Sequence, residues 1–377
     1  MHIHEIDTTN RREANRFINL PFDLYGDSPY WVPPFMSDAR FQLDREKNPY
    51  YRENDAAFFL AVEDGQDVGR IAALWPRREN EYKGGNEARF FLFDAVDDPA
   101  VANALFDAVS AWARERGLDL LRGPLGFLPF DGIGMLAKGF EHRPAVTIPY
   151  NYEYYNGLTT GYGFELEERV YSGYLSVPYM LENFPQRVLD IADKVRQRYG
   201  FEERMFTSKR ALLKWAAPRL VEVYNRSFGD IAGDPPVPDD AIEALADKML
   251  TISDPRLLRF LTKDDDIIGF LFCFIDIAEG LRKSKGRLFP FGWFYLLRTL
   301  RTSDWLNLNG MGIQPEYQGM GGTAVMYAEL YRALADFPRF KHADVVQISE
   351  FNPKSLNEMK KFGVDFYKTH HIYRKAL

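Results

Sequence analysis

The chain has 377 residues, with 47 Lys+Arg against 54 Asp+Glu and a net charge of −7. Its 46% hydrophobic and 15% aromatic content excludes a disordered chain and allows cores for about two domains. The acidic balance argues against a general nucleic-acid binder, DNA included, and the single cysteine, Cys273, excludes an intrachain disulfide.

Cys273 lies in an apolar run where burial disfavours a thiolate, and one lone thiol fits a reducing cytoplasm. The first residues do not form a signal peptide, and no apolar stretch reaches the ~18 residues of a membrane span. A soluble cytoplasmic protein is the expectation.

Residues 2–6 read as a strand. Residues 11–20 read as a helix that Pro21 should stop, because proline disrupts the preceding turn. Proline and aromatic residues at 29–35 and 48–51 predict irregular packing loops. A hairpin follows over 56–74, turning at Glu63-Asp64-Gly65, and then a strand at 89–93. Asp98-Pro99 opens a helix that Gly117 closes. A short strand at 118–121, a glycine- and proline-punctuated loop at 123–139, a short helix before Gly163 and a strand at 170–177 complete the first half.

The second half repeats this order. Helices are expected at 184–198, 212–228 and 240–250, with a proline-rich loop at 233–238. A hairpin covers 257–277, with Gly269 in the place of Gly69. After an insertion come a strand at 305–313, a helix at 323–336, a strand at 344–349, a short helix at 352–362 and a strand at 366–374. The expected class is α/β with mixed, α+β-like strand order, in two domains divided as 1–178 and 179–377.

The most informative stretch is the turn between the strand at 305–313 and the following helix. Pro315 ends the strand, and Gln318-Gly319-Met320-Gly321-Gly322 turns with little side chain in the way. The first N–H groups of a helix lack internal partners and carry partial positive charge, so this turn suits a phosphate or pyrophosphate. The first-half counterpart, 93–99, has three carboxylates and no glycine, so it should not hold one.

The segment Met311-Gly312-Ile313, then Pro315 to Gly322, resembles the acetyl-coenzyme A loop of the GNAT acyltransferase superfamily. Gln318, Gly319, Met320 and Gly321 match its usual Gln/Arg-x-x-Gly-x-Gly/Ala pattern, while Thr323 departs from it at the last place. With the internal repeat, the chain looks like a tandem pair of such domains, the first degenerate. The resemblance implies twisted, mostly antiparallel sheets that splay between the fourth and fifth strands, flanked by helices.

It also implies acetyl-coenzyme A or another acyl-coenzyme A as co-substrate. Met311, Gly312 and Ile313 would offer main chain to the pantetheine. Gln318, Gly319, Met320, Gly321, Gly322 and Thr323 would hold the pyrophosphate, and Asn352 would lie beside the pantetheine. Glu350, after the strand at 344–349, would be the general base; its structural alternatives are an exposed carboxylate or a cap for the helix at Asn352. Where the family usually has a proton-donating tyrosine, this chain has Met359, which leaves Tyr367, water or lost activity as alternatives.

The implied function is N-acyltransfer, most simply acetyl transfer, to an amine of a small-molecule acceptor held between the domains. The alternatives are a non-catalytic coenzyme A-binding protein and a Fem-type or long-chain acyl transferase. His370-His371 on a strand point to opposite faces and do not share an ion, so no metal site is expected. The insertion at 281–301 carries six basic residues, interleaved aromatics and no acid. Packing on the first domain or in a homodimer is its favoured reading, ahead of membrane or RNA contact.

Overall fold

The computed structural model describes residues 1–128, 131–232, 236–238 and 253–377. The helix expected at 240–250 lies outside the described residues, as does the first half of the proline-rich loop before it, 233–235. The first-half strands are β1 (His2–Glu5), β2 (Asp55–Glu63), β3 (Gln66–Trp75), β4 (Glu87–Ala95), β5 (Leu120–Gly123), β6 (Met135–Lys138) and β7 (Glu165–Ser176). The second half has β8 (Glu202–Met205), β9 (Leu258–Lys263), β10 (Asp266–Ile275), β11 (Trp305–Ile313), β12 (His342–Ser349) and β13 (Asp365–Ala376).

All of them join one sheet in the order β1-β2-β3-β4-β5-β13-β7-β12-β11-β10-β9-β8, with β6 beside β13. This order is the same in sequence terms from either edge: β1 matches β8, β2 matches β9, and so on to β7 and β13. Among the described residues, only β4–β5 and β11–β12 are parallel. The sheet is therefore mostly antiparallel and flanked by helices, as the fold class required.

The pairing at the centre is not what the repeat suggests. β13, the last strand of the chain, pairs with β5 of the first half, and β7 pairs with β12 of the second. β7 and β13 then pair with each other from Asp365–Tyr174 to Arg374–Glu165. Each half thus lends its final strand to the other, and the sheet is continuous across the expected boundary at 178/179.

Helices bury apolar stripes on both faces. Helix Gly322–Ala335 places Val325, Met326, Leu330 and Leu334 against Leu306, Leu308 and Ile313 of β11. On the other face, Leu212, Ala216 and Val223 of helix Lys209–Ala232 meet Phe260, Phe270 and Phe274. Helix Pro99–Glu115 does the first job in the first half, where a Cβ at Gly69 would come within 2.8 Å of Leu105 Cδ1.

Pro21 lies inside helix Arg11–Leu24 and does not end it. Its missing N–H leaves the Phe17 carbonyl without a helical donor, and Arg70 Nη1 donates to that oxygen at 2.8 Å. A long-range guanidinium replaces the bond that proline removes. The insertion forms helices Ala278–Ser284 and Gly292–Thr302, whose Leu281 and Leu296 pack on Val32, Phe35 and Val146 of the first half. Its aromatic residues are exposed: Phe289, Phe291, Trp293, Phe294 and Tyr295.

Candidate active site

β11 and β12 pair only from Trp305–His342 to Leu308–Val345. Beyond Leu308 the strands fork, and among the described residues no strand pairs with the β12-side edge of β11 from Asn309 onward. A bulge at Asn309 against β10 and the positive φ of Gly310 (150°) mark the start of the fork. On the other arm, Gln347 takes a left-handed φ of 30°. Its amide bonds both main-chain groups of Ile133, at 3.2 and 2.6 Å, so a first-half loop lies against the fork.

The loop after β11 is fixed at its start. Gln314 is buried, and its Nε2 donates to the Ile267 carbonyl at 2.7 Å. Pro315–Tyr317 makes one 3-10 turn, and Gln318 Nε2 donates back to the Ile313 carbonyl at 3.1 Å. Gly319 and Gly321 have φ of 76° and 87°, left-handed values that glycine adopts without a Cβ penalty. A Cβ on Gly321 would lie 2.6 Å from Val195 Cγ2, whereas one on Gly319 would meet nothing within 4 Å.

Helix Gly322–Ala335 has Gly321 as its N-cap, with no side chain bonded to its first turn. Among the described residues, the main-chain N–H groups from Gly319 to Thr323 donate to no protein acceptor. The residues present fit a diphosphate: open glycine main chain, unused donors and the positive end of a 14-residue helix.

The equivalent first-half position is closed. Ala95 occupies the register place of Ile313, each opposite the matching glycine. Its N–H donates to the Tyr155 hydroxyl at 2.9 Å, and its carbonyl accepts from Tyr154 at 2.8 Å. Asp98 caps the following helix itself, accepting the Ala100 N–H at 2.7 Å. Asp94 is buried between Arg70 Nε and the Tyr25 hydroxyl, at 2.7 Å from each. The Ala95 main chain and the Ala100 N–H, which would face a ligand there, are already used by the protein.

The expected residues are not all in one place. Met311, Gly312 and Ile313 lie on the open arm of the fork. Asn352 caps helix Pro353–Lys361, its Oδ1 accepting the Ser355 N–H at 3.1 Å. Glu350 is the expected base facing the gap, but both its oxygens are held by Arg169 of β7. Oε1 accepts the main-chain N–H at 2.7 Å and Oε2 a guanidinium N–H at 3.3 Å. Met359 packs against the core. His370 is fully buried and donates Nε2–H to the Pro149 carbonyl at 3.1 Å. Burial pushes the Cys273 thiol up to about 12.

Sequence reasoning misses a polar cluster at the base of the fork. Asp344 and Asn307 face each other across the last paired stretch of β11 and β12, and both are buried. Asp344 Oδ2 accepts from Lys368 Nζ at 2.8 Å and from the Tyr367 hydroxyl at 3.1 Å. Arg143, from the first half, pairs with buried Asp276 at 3.0 Å. Burial drives Asp344 up and Lys368 down, each toward its neutral form, while their contact opposes both. Asp344 Oδ1 and Asn307 Oδ1 have no partner among the described residues. The available signal was a carboxylate at the start of a strand followed by two valines.

No protein-family model matches the chain. It is 26% identical over 375 residues to the bacterial ceramide synthase of Caulobacter vibrioides, covering 97% of this chain and 95% of that protein. It is 25% identical over 376 residues to protein YghO of Escherichia coli, covering 98% and 94%. Among solved structures, a tandem GNAT protein from the clavulanic acid biosynthesis pathway covers 100% of this chain and 98% of its own, with a TM-score of 0.57 at 12% identity. A probable N-acyltransferase from Enterococcus faecalis gives 0.52 at 8% identity, covering 100% of this chain and 72% of its own. The fold is thus the tandem GNAT arrangement.

Proposed function

We propose that this tandem GNAT-fold chain is an N-acyltransferase that takes its acyl group from an acyl-coenzyme A bound at the Gly319–Thr323 turn. The observation that carries this reading is the contrast between the two halves: one fork has free donors and open main chain, and the other is filled by Tyr154, Tyr155 and Asp98. Met311, Gly312 and Ile313 offer main chain to the pantetheine, and Asn352 borders it.

In this reading Asp344 replaces Glu350 as the base, since one of its oxygens has no partner among the described residues. The acceptor amine attacks the thioester carbonyl, forming the C–N bond and giving its proton to Asp344. Main-chain N–H groups of β11 receive the oxyanion. As the C–S bond breaks, Tyr367 gives its proton to the sulfur and recovers one from Asp344 across their 3.1 Å hydrogen bond.

The acceptor is a small amine. A second reading, long-chain acyl transfer to a lipid amine, is favoured by the match to a ceramide synthase along nearly the whole chain. A ceramide is an N-acylated long-chain base, so that relative's product is also an amide.

Free-thiol release from acetyl- and palmitoyl-coenzyme A, with polar amines and with a long-chain base, tests both readings. Release that depends on an amine, with unreacted coenzyme A binding kept in Asp344→Asn but turnover down by about 100-fold or more, is the expected result. Binding without release from either thioester would contradict the transferase reading.

A further inference from the structure

We propose that the tip of the arm between β10 and β11 is a docking surface for an anionic lipid bilayer. It stands on the arm's own exposure and charge and does not need the lipid-amine reading. Phe289 is 81% and Phe291 71% exposed, and Leu288, Trp293, Phe294, Tyr295 and Leu297 are also exposed. These residues form one continuous stretch at the turn into helix Gly292–Thr302. Exposed apolar groups concentrated in this way mark an interaction site.

The shape of the patch selects the occupant. Only Gly292, Leu296 and Thr299 of this helix are buried, a narrow stripe at i, i+4 and i+7 against helix Ala278–Ser284. Trp293, Phe294 and Tyr295 are consecutive, so they fan out at about 100° intervals around the axis. A rigid protein partner covers one face of a helix. A fluid interface surrounds a tip whose aromatic groups point several ways.

Charge completes the argument. From residue 280 to residue 303 there is no acid, in a chain whose net charge is −7. Lys285 and Arg287 lead into the tip, and Arg298 and Arg301 follow it. None of the four makes an ion pair among the described residues, whereas Lys283 is held by Glu279. The aromatic tip and basic collar match the acyl boundary and the anionic headgroups of a membrane surface. No described helix is long and apolar enough to cross a membrane, so the contact is interfacial. β11 leaves the arm at Trp305 and reaches the fork four residues later, about 13 Å along an extended strand. The arm and the fork are thus joined in sequence through β11, with helix Gly292–Thr302 between the tip and the strand.

Flotation of the full chain with vesicles of phosphatidylglycerol and phosphatidylcholine tests the proposal, with pure phosphatidylcholine vesicles alongside. The exposed triple variant Phe289→Ser, Phe291→Ser, Trp293→Ser and the double variant Arg287→Glu, Arg298→Glu are compared after circular dichroism shows unchanged folding. The chain is expected to float with the anionic vesicles more than with the neutral ones, and less in high salt. Loss of affinity should be tenfold or more in the aromatic variant, and about fivefold per positive charge removed in the other. A wild-type chain that does not float, or an aromatic variant that floats equally well, would overturn the proposal. So would light scattering that shows a wild-type dimer and a monomeric aromatic variant with neither floating: the tip would then be a contact between copies.

Discussion

His370 shows how one buried side chain couples the fold to pH. Its ring is buried on β13 with no partner for Nδ1 among the described residues, and burial pushes it down to about 4 from an ordinary 6.5. The folded chain therefore binds this proton less readily than the unfolded chain. Stability should rise with pH across the window from 4 to 6.5 and be lost as pH falls through it. The contribution is on the order of 3 kcal/mol, because each tenfold change in proton affinity is worth about 1.4 kcal/mol. Urea titrations at pH 4.5 and pH 7 should show this difference, and His370→Asn should flatten it. An equal slope in the variant would assign the acid sensitivity elsewhere. The sequence exposes His370 only as half of an adjacent pair. That the pair splits between the two faces follows from strand geometry, but the depth of burial depends on Pro149, 221 residues away.

The two strand-to-helix turns are the elements that differ most in chemistry. Both follow the fourth strand of a half, and both start a helix that packs on the sheet. In the first half, Asp98 fills the helix N-terminus; in the second, Gly321 leaves it open. Asp98→Ala should cost about 1 kcal/mol, the usual value of a lost N-cap, with no change in coenzyme A affinity. Thermal denaturation and ligand titration of one sample check both parts. A fall in affinity would mean that the first-half turn takes part in binding. These turns are legible because glycine, proline and aspartate act locally. Pro21 misleads for the complementary reason: the donor that rescues its helix, Arg70, lies far away in sequence on β3. The cluster around Asp344 escapes for the same cause, since Arg143, Asp276, Asn307, Tyr367 and Lys368 come from separate stretches of the chain.

At the scale of the molecule, the element order and its repeat are readable, but the exchange of β7 and β13 is not. Periodicity identifies strands and is silent on which edge each one joins. The exchange makes the halves interdependent: without β13 the first half exposes the edge of β5, and without β7 the second exposes β12. Exposed edges without their partner strand invite aggregation. Residues 1–178 and 179–377 expressed separately should be insoluble or lack near-UV circular dichroism, and should regain it on coexpression. Either half folding alone, with native dichroism and one cooperative unfolding transition, would show that the exchanged strand is dispensable.

The open turn at Gly319 carries the whole functional account, and calorimetric titration of coenzyme A into the wild type and Gly319→Asp tests it most directly. Aspartate tolerates the left-handed conformation and has space there, so the variant changes charge with little change in packing. The wild type should bind, and the variant should lose about 100-fold or more in affinity, because a carboxylate then faces the diphosphate. A wild type that does not bind coenzyme A, or a variant that binds it equally well, would contradict the account.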